Sequence, residues 1–487
     1  MVLVRLVGLD LGTTGVRYEA YDAEGMVLDT GRSPIKKQTV GQWTASLKSA
    51  IPKRRKRIPF EQTLLSAQST SGTILLLDEY GDAVFQPLMY HEMVKEREEL
   101  SKITALKSAG DLAAKGITIS PTSPLPKIIS TRNRFPREFG RVKWILSPTT
   151  WLLLKLVHPK GERWDDVSTD WTNALKLGAD VTQEPPAWFR PLFDDVGLPL
   201  DLLPRILPCG EEIGEANSEL AETIGLKNAR VFQGMTDGNA SALAVGCLGN
   251  GDFGFSSGSA TAVKYVCSEM KRHKAIYYHK HPFKGFLAGA APFTAGTMEW
   301  FAEKIMGITP VHAYRLAREV EPGKEFAYYP QGDKEPFYDP ELGASILKIW
   351  PSESSKDLAR GRMFRSMVLG LTFFEYYFIA LFEELFDRKI EEARITGGGT
   401  RSPWWNKLRA SIYGISVKTM EERPGIGALI PAVMKQHLYK DLREVQDSLL
   451  RVTGTYEPDA TLGSKYTSSR EAFMKRWQTV REASSKV

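Results

Sequence analysis

The stretch Leu9-Asp-Leu-Gly-Thr-Thr-Gly15 decides the fold of this chain. It closes an apolar run that begins at Val2, a pattern that predicts a β-strand ending in a tight turn. Such a strand delivers the carboxylate of Asp10 beside a bend whose backbone N–H groups and two hydroxyls can hold an anion. Because the carboxylate can hold a cation, the stretch suits a metal-bound nucleotide triphosphate. An ordinary hairpin turn is the alternative, and the rest of the chain has to decide between the two.

The composition indicates a globular protein of two or three domains. The chain has 487 residues, of which 42% are hydrophobic, enough for a large core. No apolar run reaches membrane-spanning length, and the N-terminus lacks the charged segment and apolar core of a signal peptide. Three cysteines in no metal-binding spacing, Cys209, Cys247 and Cys267, predict buried reduced thiols. We therefore expect a cytoplasmic protein.

One basic run, Lys53-Arg-Arg-Lys-Arg57, stands out in a chain whose formal net charge is +6. Such a run can contact nucleic acid or an anionic surface. A solvated loop or helix face is the interpretation we favour, because no aromatic residues are interleaved and no nucleic-acid-binding motif surrounds it. We expect no nucleic-acid partner and no membrane partner.

Strands alternate with helices in two blocks, and this alternation predicts an α/β fold. The second block repeats the plan of the first, so we place a domain boundary near Asn250. The expected domains are 1–249, 250–455 and a helical tail at 456–487, where Ser468 to Glu471 forms a capping box. The patterns also predict a hairpin at 73–77 and 83–87, and helices at 149–156, 238–245, 360–386 and 403–413.

Four turns rich in small residues follow predicted strands, at 12–15, 234–238, 256–259 and 397–400. One such turn is common in any α/β protein. Two of these turns bring a carboxylate, Asp10 and Asp237. A pair of opposed turns with available N–H groups can hold the phosphates of one nucleotide between two domains.

Eight short motifs in this order resemble the FGGY carbohydrate kinases, a branch of the actin/Hsp70/hexokinase ATPase superfamily. Each motif is weak alone, and the order makes the resemblance specific. It extends over nearly the whole chain. The motifs are Asp10-Leu-Gly-Thr-Thr14, Ser168-Thr-Asp-Trp-Thr-Asn-Ala174, Gln233-Gly-Met-Thr-Asp237, Ser256-Ser-Gly258, Thr294-Ala-Gly-Thr297, Tyr329-Pro-Gln-Gly-Asp-Lys334, Gly397-Gly-Gly-Thr-Arg-Ser-Pro-Trp-Trp405 and Gly427-Ala-Leu429.

The resemblance implies two ribonuclease-H-like domains of the actin-like ATPase kind, with a nucleotide and sugar cleft between them. It implies an N-terminal sugar-binding domain, a C-terminal nucleotide-binding domain, and ATP and Mg²⁺ as cofactors. Asp10 would hold Mg²⁺ through water and face the sugar. Asp237 would be the catalytic general base that accepts the proton of the attacking hydroxyl. A helix N-cap is the other interpretation of Asp237, and the two roles are compatible.

The resemblance also implies a nucleotide site with three parts. One turn cradles the transferring end of ATP, a second hairpin holds phosphates, and a glycine-rich turn admits adenosine close to the backbone. Trp405 would pack on the adenine and Ser402 would hydrogen-bond it, although a place in the core is the alternative for Trp405. The implied nucleotide-binding residues are Gly12, Thr13, Thr14, Ser257, Gly258, Gly296, Gly398, Gly399, Ser402 and Trp405.

The acceptor sugar is expected to meet residues 67–72 and 90–92. The implied substrate-binding residues are Asp10, Thr70, Ser71, Tyr90, His91 and Asp237, with a structural role as the alternative for His91. The Thr-Ser pair, the position of Tyr90 and the run at 173–176 are most similar to the compact cyanobacterial and plant xylulokinase-like branch. Since that branch is associated with D-ribulose, the resemblance favours phosphorylation of a terminal hydroxyl of D-ribulose over D-xylulose.

Other functions stay open at this point. One is a kinase for another polyol or sugar acid, such as glycerol, gluconate or erythritol. Another class is a nucleotide-operated binding protein of the actin or Hsp70 kind, which would need a β-rich peptide-binding domain that we do not expect here. A catalytically inactive relative that binds nucleic acid through 53–57 is disfavoured by the retention of both Asp10 and Asp237. We expect a monomer or a homodimer.

Overall fold

The computed structural model describes residues 4–51, 62–94, 97–258, 261–291, 295–330, 343–347 and 355–484. The chain forms two compact units, and it returns twice to the first of them. The first unit contains Met1–Ala244, Tyr278–Leu287 and Arg423–Leu450. The second contains Val245–Tyr277, Ala288–Glu422 and Arg451–Val487. Strands and helices alternate in both units, so the predicted α/β class is confirmed.

The strands are short to medium in length. They are β1 Val4–Leu11, β2 Gly15–Tyr21, β3 Val27–Pro34, β4 Gln62–Ser69, β5 Leu75–Leu77, β6 Trp144–Leu146, β7 Ser168–Asp170, β8 Ala179–Asp180, β9 Ala187–Trp188, β10 Arg205–Leu207, β11 Glu212–Glu215, β12 Arg230–Phe232, β13 Met235–Thr236, β14 Phe253–Ser257, β15 Thr261–Cys267, β16 Tyr277–Lys280, β17 Phe286–Ala290, β18 Ala327–Tyr329, β19 Ser345–Leu347, β20 Glu392–Thr396, β21 Ser416–Met420 and β22 Val452–Tyr456.

The helices range from one turn to a 31-residue rod. They are α1 Val40–Ala50, α2 Arg97–Thr104, α3 Lys107–Ala114, α4 Pro124–Arg134, α5 Pro136–Phe139, α6 Pro148–Val157, α7 Trp171–Leu177, α8 Arg190–Asp195, α9 Glu219–Thr223, α10 Asp237–Ala244, α11 Ala295–Trp300, α12 Pro310–Glu319, α13 Lys356–Phe386, α14 Pro403–Tyr413, α15 Pro424–Lys435, α16 Leu442–Leu449, α17 Ala460–Ser464 and α18 Thr467–Ser484.

The first unit is built on a mixed sheet of seven strands with the order β11-β12-β4-β1-β2-β3, in which β13 also pairs with β4. β1 and β2 form an antiparallel hairpin around the turn at 12–14. β1 is parallel to β4. The apolar side chains of β1 are fully buried because helices cover both faces of this sheet, as parallel pairing requires.

Helix α15 packs so closely on the first sheet that glycine is required at the contacts. A Cβ added to Gly8 would lie 2.3 Å from the carbonyl oxygen of Gly425, and one added to Gly427 would lie 1.9 Å from that of Ala240. Both distances are too short for any side chain. The motif Gly427-Ala-Leu429 is therefore a packing surface between α15 and α10.

The second unit contains a seven-stranded sheet with the order β16-β17-β15-β14-β20-β21-β22. The long helix α13 is its core helix, and an aromatic layer joins α13 to α18. Phe374 stacks on Trp477 at 5.2 Å between ring centroids, and Tyr329 stacks on Phe473 at 4.9 Å. Within the described part of the chain α13 alone is long and apolar enough to cross a membrane, but 78% of its most apolar window is buried inside the protein. Such burial is typical of a core helix.

Several predicted elements are confirmed and others need correction. Helix 403–413 has the predicted bounds, and the three cysteines are buried outside any disulfide. The predicted strand at 83–87 does not form, because β5 pairs with β6 and meets this segment only through isolated bridges. The predicted capping box at 468–471 is wrong, since α18 already begins at Thr467. The domain limits at 249 and 455 stay a prediction about the family's domains; the compact units run as given above.

Candidate active site

Three parallel strands of the first unit end side by side and bring together two predicted site carboxylates, the metal ligand Asp10 and the general base Asp237. β1 pairs with β4 so that Asp10 lies opposite Gln68. β13 pairs with the other side of β4, with Thr236 opposite Ser69, and Asp237 follows directly. The carboxyl ends of parallel strands are where ligands bind in open α/β sheets. Asp10 and Asp237 therefore flank the end of β4 at one edge of the sheet.

Asp10 is a buried carboxylate between one cation and a second carboxylate. It is 8% exposed, and burial raises its pKa to about 6. Arg17, whose Nη1 lies 3.6 Å from Asp10 Oδ2, lowers the pKa, the charge of Asp237 raises it, and a hydrogen bond from Gln68 lowers it. A divalent cation would relieve both the desolvation and the repulsion of this carboxylate. Asp10 thus fits a Mg²⁺ site.

The described residues contain no group of three or more His, Cys, Asp or Glu side chains that could hold a metal ion. Mg²⁺ commonly binds through one or two carboxylates and completes its shell with waters and substrate phosphates. A single carboxylate beside a phosphate-binding turn is the donor set that this mode of binding needs.

The turn between β1 and β2 is closed from within and braced from one side. Gly12 N–H donates to Gly15 O at 3.0 Å. The amide of Gln38 donates to Thr13 O at 2.7 Å and accepts from the indole of Trp43 at 2.9 Å. Gly12 and Thr13 are half-exposed, so their N–H groups lie in a rigid bend at the surface of the unit. Their contact with phosphate stays a prediction, as does that of the exposed Thr14.

Asp237 is the first residue of α10 and so follows the N-cap position, while its contacts are compatible with the predicted general base. Its Oδ1 accepts from Gly238 N–H at 2.7 Å and from Ser71 N–H at 3.3 Å. The side chain is half-buried. Two backbone donors from different segments fix the direction of the carboxylate, as a general base requires.

The motif at 168–174 supports the strand that carries Asp237. Asp170 is completely buried and caps α7, where its Oδ1 accepts from the backbone N–H groups of Thr172 and Asn173 at 2.9 and 3.0 Å. Burial raises the pKa of Asp170. The hydroxyl of Thr172 accepts from Thr236 N–H at 3.0 Å. This buried polar group therefore holds the residue that precedes the catalytic candidate.

The predicted sugar-facing residues lie in two loops of the first unit. The hydroxyl of Thr70 is buried and bonds to that of Thr73 at 2.8 Å, so it supports the first loop. Ser71 is half-buried, and its hydroxyl has no hydrogen-bond partner among the described residues. Tyr90 and His91 are exposed, with ring centroids 5.1 Å apart. Their roles in sugar binding stay predictions.

A buried lysine, which no local pattern of the chain marks, underlies the second loop. Lys127 on α4 is 6% exposed, and its Nζ donates to Met89 O at 2.7 Å. Burial lowers the pKa of Lys127 to about 8, while the charge of Glu92 opposes this shift. Lys127 thus anchors the residue that precedes Tyr90.

In the second unit two parallel strands also end side by side, as in the first unit, but no carboxylate follows them. β14 and β20 are parallel neighbours, with Ser256 opposite Thr396, and a small-residue turn follows each strand. The two turns touch each other: a Cβ added to Gly399 would lie 2.2 Å from the hydroxyl oxygen of Ser257. Gly258 is half-exposed and Gly398 is exposed, so the outer residues of both turns reach the surface of this unit.

The structure does not support the predicted stacking of Trp405 on adenine. Trp405 has no exposed surface, its indole N–H donates to Thr372 at 2.9 Å, and the guanidinium of Arg409 covers one face at 3.7 Å. The core interpretation of this residue therefore holds here. The hydroxyl of Ser402 accepts from Trp405 N–H at 3.3 Å as the N-cap of α14. The hydroxyl of Ser257 is likewise buried rather than displayed to a phosphate.

The remaining predicted positions belong to the second unit or to undescribed segments. Gly296 lies in α11 and is half-exposed. Other quoted positions, namely Thr294, Ser259, the loop at 331–334 and the basic run at 53–57, lie outside the described residues.

The chain is similar to known sugar kinases over its whole length. A xylulose kinase of Lactococcus lactis is 23% identical and covers 99% of this chain and 97% of its own length. The solved structure of xylulose kinase from Rhodospirillum rubrum superposes with a TM-score of 0.82 at 19% identity, over 99% of each chain. Gluconate kinase from Lactobacillus acidophilus gives 0.81 at 18% identity, over 99% of this chain and 98% of its own. The fold is therefore that of two-domain, actin-like ATPase kinases.

Residues 5–244 match the N-terminal domain of the FGGY family of carbohydrate kinases. This match covers just under half of the chain and contains the motifs at 10–14, 168–174 and 233–237.

Three residues with a place in the candidate site were missed by the sequence analysis. Arg17 and Gln68 both contact Asp10, and Arg409 contacts Ser257. Arg17 lies seven positions beyond Asp10 across a hairpin, so its antiparallel register was a usable signal. Gln68 and Arg409 meet their partners through long-range packing, which no local pattern reveals.

Proposed function

We propose that this chain is an ATP-dependent kinase that phosphorylates a terminal hydroxyl of a ketopentose. The observation that carries the proposal is the placement of Asp10 and Asp237 at the ends of strands on either side of β4. One carboxylate is desolvated and suited to a cation, and the other is oriented by two backbone donors. Phosphoryl transfer needs this combination of charge neutralisation and alignment more than covalent help.

In the proposed reaction Asp237 accepts the proton of the sugar hydroxyl as its oxygen bonds to the γ-phosphorus of ATP. The bond between that phosphorus and the bridging oxygen of ADP breaks in the same transfer. When bound, Mg²⁺ would neutralise phosphate charge. Asp10 would hold the ion, and the turn of Gly12, Thr13 and Thr14 would cradle the transferring phosphate. Gly258 and Gly398 are the proposed backbone contacts of the nucleotide in the second unit.

The acceptor is proposed as a class with two leading members. The named relatives are mostly xylulose kinases, which supports D-xylulose. The resemblance of 70–71 and 90 to the xylulokinase-like branch supports D-ribulose. A short polyhydroxy acceptor suits the hydroxyl of Ser71, because a buried hydroxyl without a partner gains a hydrogen bond when the sugar arrives. A cytoplasmic location is part of this proposal.

The proposal is tested by ADP release from MgATP with D-xylulose, D-ribulose, glycerol, gluconate and erythritol as acceptors. We expect turnover with a ketopentose, and Asp237→Asn should lower kcat by about a thousandfold because an amide cannot accept the proton. The Asn side-chain oxygen can accept the same hydrogen bonds, so this variant keeps the contacts with Gly238 and Ser71. A protein that binds MgATP and phosphorylates none of these acceptors contradicts the proposal.

A matched control separates a base from a helix cap. Asp441 belongs to the same unit and caps α16 by accepting from two backbone N–H groups. In sequence it is far from the strands that carry the two site carboxylates. Asp441→Asn should leave kcat within about twofold of wild type, because it changes a cap and nothing else. If both variants have the same kcat, Asp237 is not the general base.

A further inference from the structure

A fully buried arginine lies beneath the two glycine-containing turns of the second unit. Arg409 on α14 has no exposed surface. Its Nε and Nη2 donate to the two carboxylate oxygens of Glu375 at 2.9 and 2.7 Å. The hydroxyl of Tyr413 donates to the same carboxylate at 2.5 Å. The ion pair is thus bidentate and braced by a third polar group.

The remaining donors of this guanidinium reach both turns. Nη2 donates to the hydroxyl oxygen of Ser257 at 3.2 Å, and Nη1 donates to Gly399 O at 3.0 Å and to Asn406 Oδ1 at 3.4 Å. All five N–H groups of the side chain therefore have an acceptor. One rigid, planar group joins the turn after β14 to the turn after β20.

The partners of Arg409 are the buried members of the two turns, and their neighbours are the accessible ones. Ser257 and Gly399 are buried, whereas Gly258 is half-exposed and Gly398 is exposed. Fixing each buried residue fixes the backbone of the accessible residue beside it. Trp405 covers the guanidinium at 3.7 Å, so water cannot replace these hydrogen bonds.

We infer that Arg409, held by Glu375, is a positioning residue that sets the spacing of the two turns for the bound nucleotide. This inference rests on the proposed function, since it assigns the nucleotide to the backbone of Gly258 and Gly398. Lysine cannot perform the role. Its single ammonium has three donors and no planar fork, so it cannot span Glu375, Ser257 and Gly399 together.

The second unit contains a second buried Arg–Glu–Tyr cluster that serves as a matched control. Arg365, also fully enclosed, pairs with Glu325 at 2.6 Å and donates to the hydroxyl of Tyr466 at 2.5 Å. Its Nη1 donates to Ala317 O at 3.1 Å, in α12 and not in either turn. Both clusters use α13 and have the same chemistry, so they differ mainly in what the arginine holds.

The test compares equilibrium binding of MgATP and steady-state kinetics for Arg409→Lys, Glu375→Gln and the control Arg365→Lys. We expect Arg409→Lys and Glu375→Gln to raise the Kd and KM for MgATP about tenfold or more, with the KM for sugar within about twofold of wild type. Arg365→Lys should lower Tm by about as much as Arg409→Lys does, while its Kd for MgATP stays within about twofold of wild type.

A double-mutant cycle adds a readout that stability cannot imitate. If Arg409 acts partly through Ser257, Ser257→Ala should raise the Kd for MgATP less in the Arg409→Lys background than in wild type. If the effects of the two substitutions on the Kd for MgATP are additive, Arg409 does not act through Ser257, and the inference is contradicted.

The outcomes decide the two proposals separately. Folded Arg409→Lys and Glu375→Gln proteins with the wild-type Kd for MgATP overturn the inference. Failure of both to fold while Arg365→Lys folds also overturns it, because Arg409 then acts on stability alone. A wild-type protein that binds MgATP and phosphorylates no acceptor refutes the proposed function, while the Kd comparison still decides on Arg409. A wild-type protein that does not bind MgATP overturns both.

Discussion

At the scale of single residues, Asp10 shows how function and stability oppose each other in this chain. Its pKa is raised to about 6 by burial, so the folded protein keeps an ionised carboxylate in a poor environment at neutral pH. The unfolded chain ionises the same group near its ordinary pKa of 3.8. As pH rises from about 4 to about 6, the unfolded state releases its proton first, and the free energy of unfolding falls. Above about pH 6 the loss is complete.

Asp10→Asn should therefore make the protein more stable and inactive. At pH 7 without Mg²⁺ we expect the free energy of unfolding to rise by about 1–3 kcal/mol, because one pKa unit corresponds to about 1.4 kcal/mol. Denaturant unfolding at pH 4, 5, 6 and 7 measures this. The gain should be small at pH 4 and largest at pH 7, since a protonated Asp10 and an Asn are nearly alike. A gain independent of pH would mean that ionisation of Asp10 is not its cause.

Residues of the candidate site were predictable from sequence only where a local pattern marks them. Asp10 lies near the end of a strand before the turn at 12–15, and Asp237 lies in the small-residue turn at 234–238, so both stand in patterns that are visible in the sequence. Arg409 and Glu375 are separated by 34 residues and meet only when α13 packs on α14. The burial of Trp405 was not visible in its motif either, since its indole meets Thr372 of α13 as well as Arg409 one turn along α14.

At the scale of elements, sequence prediction succeeded where both ends of a helix carry a stop signal. Helix α14 has Ser402 as N-cap, Pro403 at its first position and Gly414 in a left-handed conformation at its end. These signals are local, so the predicted bounds were right. At α18 the capping-box pattern at Ser468 misled, because the helix already begins at Thr467 and the pattern lies inside its first turn.

The contact of α15 with α10 gives a prediction at this scale. Gly427→Ala should lower the free energy of unfolding by about 1–3 kcal/mol, because its Cβ would lie 1.9 Å from Ala240 O, a backbone atom that cannot move alone. Since Asp237 begins α10, kcat should fall as well. Chemical denaturation and steady-state kinetics measure the two effects.

A second glycine provides the control for this substitution. Gly110 lies within α3, and a Cβ added there meets nothing within 4 Å. Gly110→Ala should raise the free energy of unfolding by about 0.4–1 kcal/mol, because alanine restricts the unfolded chain. If both substitutions destabilise equally, close packing at Gly427 is not the cause.

At the scale of the whole molecule, the compact units do not follow the order of the chain. Residues 423–450 come after the motifs of the second block and belong to the first compact unit, while the predicted limits at 249 and 455 concern the family's domains and stay a prediction. An apolar helix such as α15 carries no mark of the sheet that it will cover. Its buried residues, nine in all, satisfy the pattern for either unit. Close packing against Gly8 and Ala240 decides which unit α15 joins.

A fragment of residues 1–244 should therefore not fold alone, although it contains the whole matched family domain. Without α15 the apolar surfaces of β1, β4 and α10 are exposed to water. We expect an aggregating or molten fragment by near-ultraviolet circular dichroism and size-exclusion chromatography. Joining residues 423–450 to this fragment through a flexible linker should restore cooperative unfolding. A soluble, cooperatively unfolding 1–244 fragment would contradict the importance given to α15.

The return of the chain to its first unit has a consequence for synthesis on the ribosome. The segment that completes the unit begins 179 residues after Ala244, where the first part of the unit ends. At elongation rates of roughly 5–20 residues per second, the nascent chain waits about 10–35 s with an apolar sheet face uncovered. Throughout this interval the growing polypeptide is a natural client for chaperones that shield apolar surface. Slow translation between 244 and 423 would lengthen the exposure and lower the yield of soluble enzyme.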